Sequence, residues 1–187
     1  MLKELKTRAI VTPLPVLIIG TYDAEGHPDA MNVAWGGQCG PKHIAINISS
    51  NHKTTENLRL NQAFTLQIAD ADRVELADYV GITSGHDPEK MERVHAVAKP
   101  GKEVNAPILE EFVLAMECKV VSMNDELGHT RVVGEVVRTV ADDSVLTPDG
   151  TVDFSKLRPI SFDSEMNEYR VVGESIAKAF SCGKALK

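Results

Sequence analysis

The segment from Ser49 to Asn57 (SSNHKTTEN) combines several hydroxyl side chains with one cation, where a strand is predicted to end and a helix to begin. Backbone N–H groups are free at a helix start and the helix dipole is positive there, so such a junction suits phosphate. A monophosphate dianion fits the polar side chains of this segment, which are Ser49, Ser50, Lys53, Thr54 and Thr55. The alternative is an ordinary helix start capped by Asn51 or Thr54, with a polar first turn and no ligand.

Two other segments have residue types that suit a ligand. Met31–Gly37 (MNVAWGG) contains the only tryptophan of the chain and two glycines that would let a planar ligand approach the backbone. The alternative for it is a core tryptophan that closes one end of a barrel. Thr83–His86, followed by Lys90, is polar and is predicted to lie in a loop, for which an unliganded surface loop is the alternative.

The elements that would position these segments are mostly strands. Alternating or β-branched runs predict strands at Val16–Tyr22, His27–Trp35, Ile44–Ser49, Phe64–Ala69, Phe112–Met123 and Thr130–Val140. Helices are predicted at Thr54–Asn61, Val74–Val80, Pro88–Val97 and Ile176–Phe180. Strands with inserted helices, without regular alternation, favour a mainly β barrel or an α+β fold over a parallel sheet. We expect one domain over residues 1–187, with about six strands closing the barrel.

Composition excludes several classes of partner. The chain has 187 residues, 43% of them hydrophobic and 25% charged, and a net charge of −7. A diffuse negative charge repels nucleic acid and acidic lipid, so neither is an expected partner. The apolar run Val16–Ile19 is too short for a membrane span, and three cysteines without CxxC spacing favour a reducing cytoplasm.

Common catalytic motifs are missing from the sequence. There is no GxGxxG, P-loop, HExxH or GxSxG motif, and no pair of the six histidines has helical metal-ligand spacing. The sequence therefore predicts no metal site, and we assign no catalytic residue.

Several short segments, in order, resemble the flavin reductase-like family with the FMN-binding split-barrel fold, and among its members the flavoredoxin-type proteins. The segments that carry the resemblance are Thr12–Val16, Met31–Gly36, Lys53–Asn57, Asp78–Gly85, Glu117–Lys119, Gly134–Val136 and Lys178–Ser181. Two positions depart from the family pattern. Lys53 stands where the family commonly has arginine, which keeps the charge but loses the bidentate fork, and Met91 stands where a bulky aromatic residue is favoured.

The resemblance implies a homodimeric Greek-key antiparallel barrel that holds FMN non-covalently near the subunit interface. Carried over by position, the phosphate and ribityl chain would contact Ser49, Ser50, Lys53, Thr54 and Asn57. The isoalloxazine would lie against Asn32, Val33, Ala34 and Trp35. Ser84, Gly85 and Lys90 would reach the phosphate side.

Three functions are compatible with this resemblance. The first is an FMN protein that passes electrons between protein partners, as flavoredoxin-type proteins do. The second is an NAD(P)H-dependent flavin reductase, and the third is a split-barrel binding module without redox activity. In the first two the flavin itself supplies the electron or hydride chemistry, which explains why no acid–base pair is visible in the sequence.

Overall fold

The computed structural model describes residues 1–186 and consists mostly of strands. The strands within that range are β1 (Leu14–Pro15), β2 (Leu17–Tyr22), β3 (Pro28–Val33), β4 (Gly36–Gln38), β5 (His43–Ser49), β6 (Ala63–Ile68), β7 (Ala98–Pro100), β8 (Pro107–Leu109), β9 (Leu114–Glu126), β10 (His129–Ala141), β11 (Ile160–Asp163) and β12 (Glu168–Val171). The α-helices are α1 (Lys53–Asn61), α2 (Val74–Ile82), α3 (Lys90–Arg93) and α4 (Phe154–Leu157), and short 3₁₀ helices lie at Ala71–Arg73, Asp143–Val145 and Cys182–Leu186. The predicted mainly β fold with inserted helices is confirmed.

The main sheet is antiparallel and has seven strands in the order β3-β2-β6-β9-β10-β5-β4, one more than expected. Its hydrogen-bonded ladder ends at β3 and β4, so the sheet is a half-barrel and does not close by hydrogen bonding. Only Ala34 and Trp35 connect these two edge strands. Three Cα steps span at most about 11 Å, whereas the edges of a flat seven-stranded sheet would be about 29 Å apart. The sheet must therefore curl until β3 and β4 lie side by side.

The longest pairing in the sheet is the hairpin of β9 and β10. Leu127 and Gly128 form its two-residue turn with φ of 51° and 79°, as the twist of a tight hairpin requires. A register shift occurs between Val133 and Gly134, and a Cβ on Gly134 would lie 2.6 Å from the Phe64 ring. Glycine is needed there because the Phe64 ring packs directly on the β10 backbone.

Strand β2 has a core on both of its faces. Leu17 and Ile19 point into the barrel, where they pack with residues such as Phe64 and Ile46. Val16 and Ile18 point the other way and pack against α2 and its neighbours. Because both faces of β2 are buried, its sequence is a nearly continuous apolar run. The packing on the second face also holds α2 and the loop after it beside β3.

Two of the predicted helices are wrong. In the predicted helix Pro88–Val97 only Lys90–Arg93 is helical, because His95 adopts a left-handed φ of 50° two residues after α3 ends. The stretch Ile176–Phe180 has no helix. Both its apolar ends are almost fully exposed, so no packing stabilises a helix there.

None of the helices within residues 1–186 is long and apolar enough to cross a membrane.

Candidate functional site

Three cavities that share lining residues follow one another along β3 and the ends of β5 and α2, and together we call them the groove. The first, of about 240 Å³, lies between the start of α1 and the loop Gly81–His86, and we call it the helix-start cavity. It shares Gly81 and Ile82 with a middle cavity of about 230 Å³. The middle cavity shares Ala34 with a tryptophan cavity of about 620 Å³, which Trp35 lines. The segments singled out in the sequence thus meet in one groove.

The start of α1 offers free backbone donors to the helix-start cavity. Helix α1 begins after His52, whose carbonyl oxygen accepts from the N–H groups of Thr55 and Glu56. The N–H groups of Lys53 and Thr54 have no acceptor among residues 1–186. The predicted caps Asn51 and Thr54 are wrong, because His52 is the N-cap and no side chain caps the helix. Uncapped donors at the positive end of a helix are suited to an anion.

The loop on the other side of this cavity packs tightly against the helix start. Ser84 Oγ accepts a hydrogen bond of 3.2 Å from the N–H of His86. A Cβ on Gly85 would lie 2.6 Å from Asp29 Oδ2 and 2.9 Å from Lys53 Cβ. Only glycine at this position lets the loop come so close to α1.

Lys53 supplies the permanent positive charge at the mouth of the cavity. Its Nζ lies 3.7 Å from Glu56 Oε2, and Glu56 Oε1 lies 3.7 Å from His86 Nε2. Burial and the charge of Lys90 lower the pKa of His52 below its usual 6.5, against the opposing effect of Asp29. His52 is therefore neutral near pH 7 and lines the cavity without adding a charge.

A buried ion pair lies beneath the helix start. Lys90 Nζ is 3.0 Å from Asp29 Oδ1 and donates to the carbonyl oxygen of Ala30 at 2.6 Å. Thr54 Oγ1 donates to the other carboxylate oxygen of Asp29 at 3.3 Å. The side chains of Lys90 and Asp29 are only 2% and 8% exposed. Lys90 thus neutralises the one carboxylate that lies directly under the cavity.

The other two cavities have walls of mixed character. In the middle cavity, Tyr169 Oη donates to Asp78 Oδ1 at 2.8 Å, and Asn32 Nδ2 donates to the carbonyl oxygen of Ala77 at 3.2 Å. Burial and the Asp78 carboxylate raise the pKa of Tyr169 to about 12, so the phenol stays protonated. Trp35 is 55% exposed and meets the His129 ring edge-on, with 5.2 Å between centroids. The alternative of a core tryptophan is therefore wrong.

Most of the predicted site residues line the groove. Those that do are Asn32, Ala34, Trp35, Lys53, Thr54, Ser84, Gly85 and Lys90. Four do not. Val33 is buried in the barrel core, and Asn57 is buried with its amide donating to Thr21 Oγ1 at 3.0 Å. Ser50 Oγ bonds Thr130 Oγ1 at 3.0 Å, and the carbonyl oxygen of Ser49 accepts from Thr55 Oγ1 at 2.7 Å.

Several lining residues were not anticipated. His52 and His86 lie within segments that the sequence singled out, and their polar character was a usable signal. Phe162 and Tyr169 come from β11 and β12, far along the chain, and Arg131 comes from β10. Their presence depends on long-range pairing, which no local pattern reveals.

Two other features of the structure contain none of the predicted site residues. A cavity of about 560 Å³ lies beside β2, β6, β9 and β10, and it shares Gly37 and Gln38 with the tryptophan cavity. Asp23, Glu25 and His27 lie close together in the exposed β2–β3 turn. Asp23 accepts hydrogen bonds from the N–H groups of Glu25 and His27, so the turn itself accounts for this arrangement.

Comparisons with known proteins agree with this fold. The flavin reductase-like domain model matches residues 9–160. The flavoredoxin of Desulfovibrio vulgaris (Miyazaki F) is 36% identical, with a TM-score of 0.92 over 98% of this chain and 100% of that one. A flavoredoxin from Methanosarcina acetivorans is 24% identical, with a TM-score of 0.92 over 100% of both chains. An FMN-binding protein from Thermus thermophilus is 18% identical, with a TM-score of 0.77 over 95% of this chain and 100% of that one; the last two identities support the fold alone.

Proposed function

The chain belongs to the flavin reductase-like domain family, and from this we propose that it is an FMN-binding flavoprotein that transfers electrons. The observation that carries the proposal is the row of three neighbouring cavities, which runs from an anion-suited helix start to an exposed tryptophan. A flavin mononucleotide has the matching shape, with a phosphate at one end and a planar ring at the other. The similarity to a flavoredoxin at 36% identity supports the electron-transfer role.

We assign the phosphate to the helix-start cavity. The free N–H groups of Lys53 and Thr54 and the Lys53 ammonium would bind it, and Ser84 and Gly85 would form the opposite wall. Lys90 would not contact the phosphate directly, but it would neutralise the Asp29 carboxylate, which would otherwise repel the phosphate. Ser49, Ser50 and Asn57 would take part by holding the turn and the helix in place, through the hydrogen bonds they make in the fold.

We assign the ring to the middle cavity and to the Ala34 end of the tryptophan cavity. Asn32, Ala34 and Trp35 line them, and Val33 anchors this stretch in the core. The bound flavin would supply the electron or hydride chemistry, while the residues of the chain bind and orient it. Tyr169 is protonated and hydrogen-bonded to Asp78, so it would form part of the groove wall without exchanging a proton.

The donors of the helix-start cavity favour FMN over a dinucleotide flavin. One lysine and two free N–H groups suit a single phosphate group. The adenosine diphosphate extension of FAD would need further donors beyond this cavity.

The visible absorption spectrum of the purified protein tests the proposal. We expect a flavin spectrum, either as purified or after addition of FMN. Protein that stays colourless in excess FMN would rule out electron transfer through FMN and leave a binding module without redox activity. If flavin is bound, anaerobic mixing with NADH or NADPH separates the two redox functions, since rapid bleaching identifies an NAD(P)H-dependent flavin reductase and bleaching only by a reduced protein donor identifies a carrier.

We further propose a homodimer that works in the cytoplasm. The resemblance to the family supports the dimer, because it implies a flavin groove near the subunit interface. Sedimentation equilibrium of the FMN-loaded protein checks it, and we expect twice the chain mass of 20.4 kDa. A monomer at micromolar concentration would contradict the dimer without affecting the FMN assignment.

Lys53→Ala is expected to weaken FMN binding by about 1–3 kcal/mol, because a charge-assisted contact to the phosphate is lost. This corresponds to a dissociation constant about 5- to 150-fold higher, measurable by titration of the flavin fluorescence. Riboflavin, which lacks the phosphate, should bind both proteins alike. The control is Lys119→Ala, which removes an exposed lysine of β9 that lines none of the cavities. An unchanged FMN affinity would remove Lys53 from the site.

A further inference from the structure

The tryptophan cavity contains a cation that the proposed FMN site does not use. Arg131 lies on β10 between Asn47 of β5 and Asn124 of β9, which are both neutral amides. It lines the cavity together with Trp35, Asn47 and Ser164. No acidic residue lines this cavity within the part of the chain that the structure describes.

Arg131 is unusual among the arginines of the chain. Six others form ion pairs with carboxylates, namely Arg8, Arg59, Arg93, Arg138, Arg158 and Arg170. Arg131 has no carboxylate partner and no hydrogen-bond acceptor among residues 1–186, although it is half-buried and the net charge is −7. None of its side-chain nitrogens is a buried atom without a partner, so the guanidinium remains accessible to a ligand. Its planar fork is suited to binding a carboxylate through two hydrogen bonds.

The rest of the cavity fits a flat, largely apolar molecule. Its wall includes Val11, Pro13, Leu14 and the exposed ring of Trp35. Gly37 also faces it, and a Cβ built on Gly37 would meet no atom within 4 Å. At about 620 Å³ the cavity alone is within the size range of small-molecule sites.

We propose that Arg131 forms a second anion subsite, which binds the carboxylate of a planar aromatic acid packed against Trp35. The carboxylate subsite rests on the cavity alone. The role of the acid as a small-molecule substrate beside the flavin rests on the proposed function. Two separate anion positions would then lie in the groove, with Lys53 near one end and Arg131 near the other.

Benzoate and benzamide test this proposal, because they have the same planar shape and differ in charge. Trp35 is the only tryptophan, so its fluorescence in the full-length protein reports on this cavity, and calorimetry provides a second measurement. We expect benzoate to bind at least about tenfold more tightly than benzamide, with or without saturating FMN, as one charge-assisted contact would give. Arg131→Gln should remove this difference and leave the absorption spectrum of bound FMN in place.

The control is Arg73→Gln, the same substitution at another arginine without a carboxylate partner. Arg73 is exposed and lines none of the cavities. Equal binding of benzoate and benzamide, or unchanged benzoate binding in Arg131→Gln, would overturn the subsite. FMN could displace benzoate, and Arg131→Gln could weaken the binding of FMN and of benzoate to the same extent. That result would place Arg131 in the flavin ring site and overturn the second subsite. Failure to bind FMN would instead overturn only the proposed function.

Discussion

Asp29→Asn is expected to lower the free energy of unfolding by about 3–5 kcal/mol, the usual cost of breaking a buried ion pair by removing one partner. Asparagine has the same shape and can still accept from Thr54 Oγ1. After the substitution, the Lys90 ammonium, which is 2% exposed, has only the carbonyl oxygen of Ala30 as a hydrogen-bond acceptor and no opposite charge. Urea denaturation measures the change as a lower midpoint at an unchanged slope.

A second substitution separates charge from packing at this pair. In Asp29→Asn/Lys90→Met the buried charge is gone, so we expect most of the lost stability to return. Asp149→Asn, in an exposed loop, is the control and should change little. If Asp29→Asn costs less than about 0.5 kcal/mol, which is typical of surface substitutions, the pair does not stabilise the fold. The folded single variant should bind inorganic phosphate more tightly, because a negative charge beside Lys53 has been removed.

Glu117→Gln is expected to cost about 3 kcal/mol of stability at neutral pH. The Glu117 carboxylate is 1% exposed, pairs with Arg138, and accepts from the N–H groups of Glu103 and Val104 at 2.6 and 3.2 Å. It thereby holds the connection between β7 and β8 against β9. The amide N–H of glutamine would face the guanidinium of Arg138 and could not accept from it. Arg138 is 33% exposed, however, so water still hydrates part of its charge. The loss therefore falls at the low end of the range for buried pairs.

The same substitution should change how stability depends on pH. Burial opposes ionisation of Glu117, but the Glu103 amide and Arg138 outweigh it and lower its pKa below the usual 4.5. A group whose pKa is lowered by folding stabilises the protein above its unfolded pKa, and this contribution is lost as the pH falls through the folded pKa. The stability difference between the native protein and Glu117→Gln should thus be constant near neutrality and shrink below about pH 4.5. Urea titrations at several pH values measure it.

Glu135→Gln is the control for this pH dependence. Glu135 lies exposed on the neighbouring strand β10, and its substitution should leave the acid limb of the stability curve unchanged. A Glu117→Gln curve parallel to that of the native protein down to pH 3 would show that Glu117 is not the group responsible.

The sequence predicted the features that depend on local pattern. The strands β5, β9 and β10 appear where their alternating patterns predicted them, with boundaries shifted by up to three residues. The polar helix start was also recognisable, because free donors and Lys53 come from adjacent residues. The resemblance to a family added the link between this helix start and Trp35, which neither segment reveals by itself.

Features that depend on distant contacts were missed. Lys90 was assigned to the phosphate side, but nothing local indicates that its ammonium reaches Asp29, 61 residues earlier in the chain. Tyr169 lines the middle cavity only because β12 pairs with β11. The predicted helix at Ile176–Phe180 failed for the converse reason, since its composition allowed a helix but no surface was available to pack against it.

The two-residue crossing from β3 to β4 also bears on how the chain folds. Three of the six neighbouring pairs in the main sheet, β2–β6, β6–β9 and β5–β10, come from distant parts of the sequence, and bringing them together is entropically costly and slow. The two edges, in contrast, are held together by Ala34 and Trp35 before any long-range pairing has formed. Bringing these two edges together therefore costs little chain entropy, because the connection between them is so short. A ligand bound at this connection would find its two walls already adjacent early in folding.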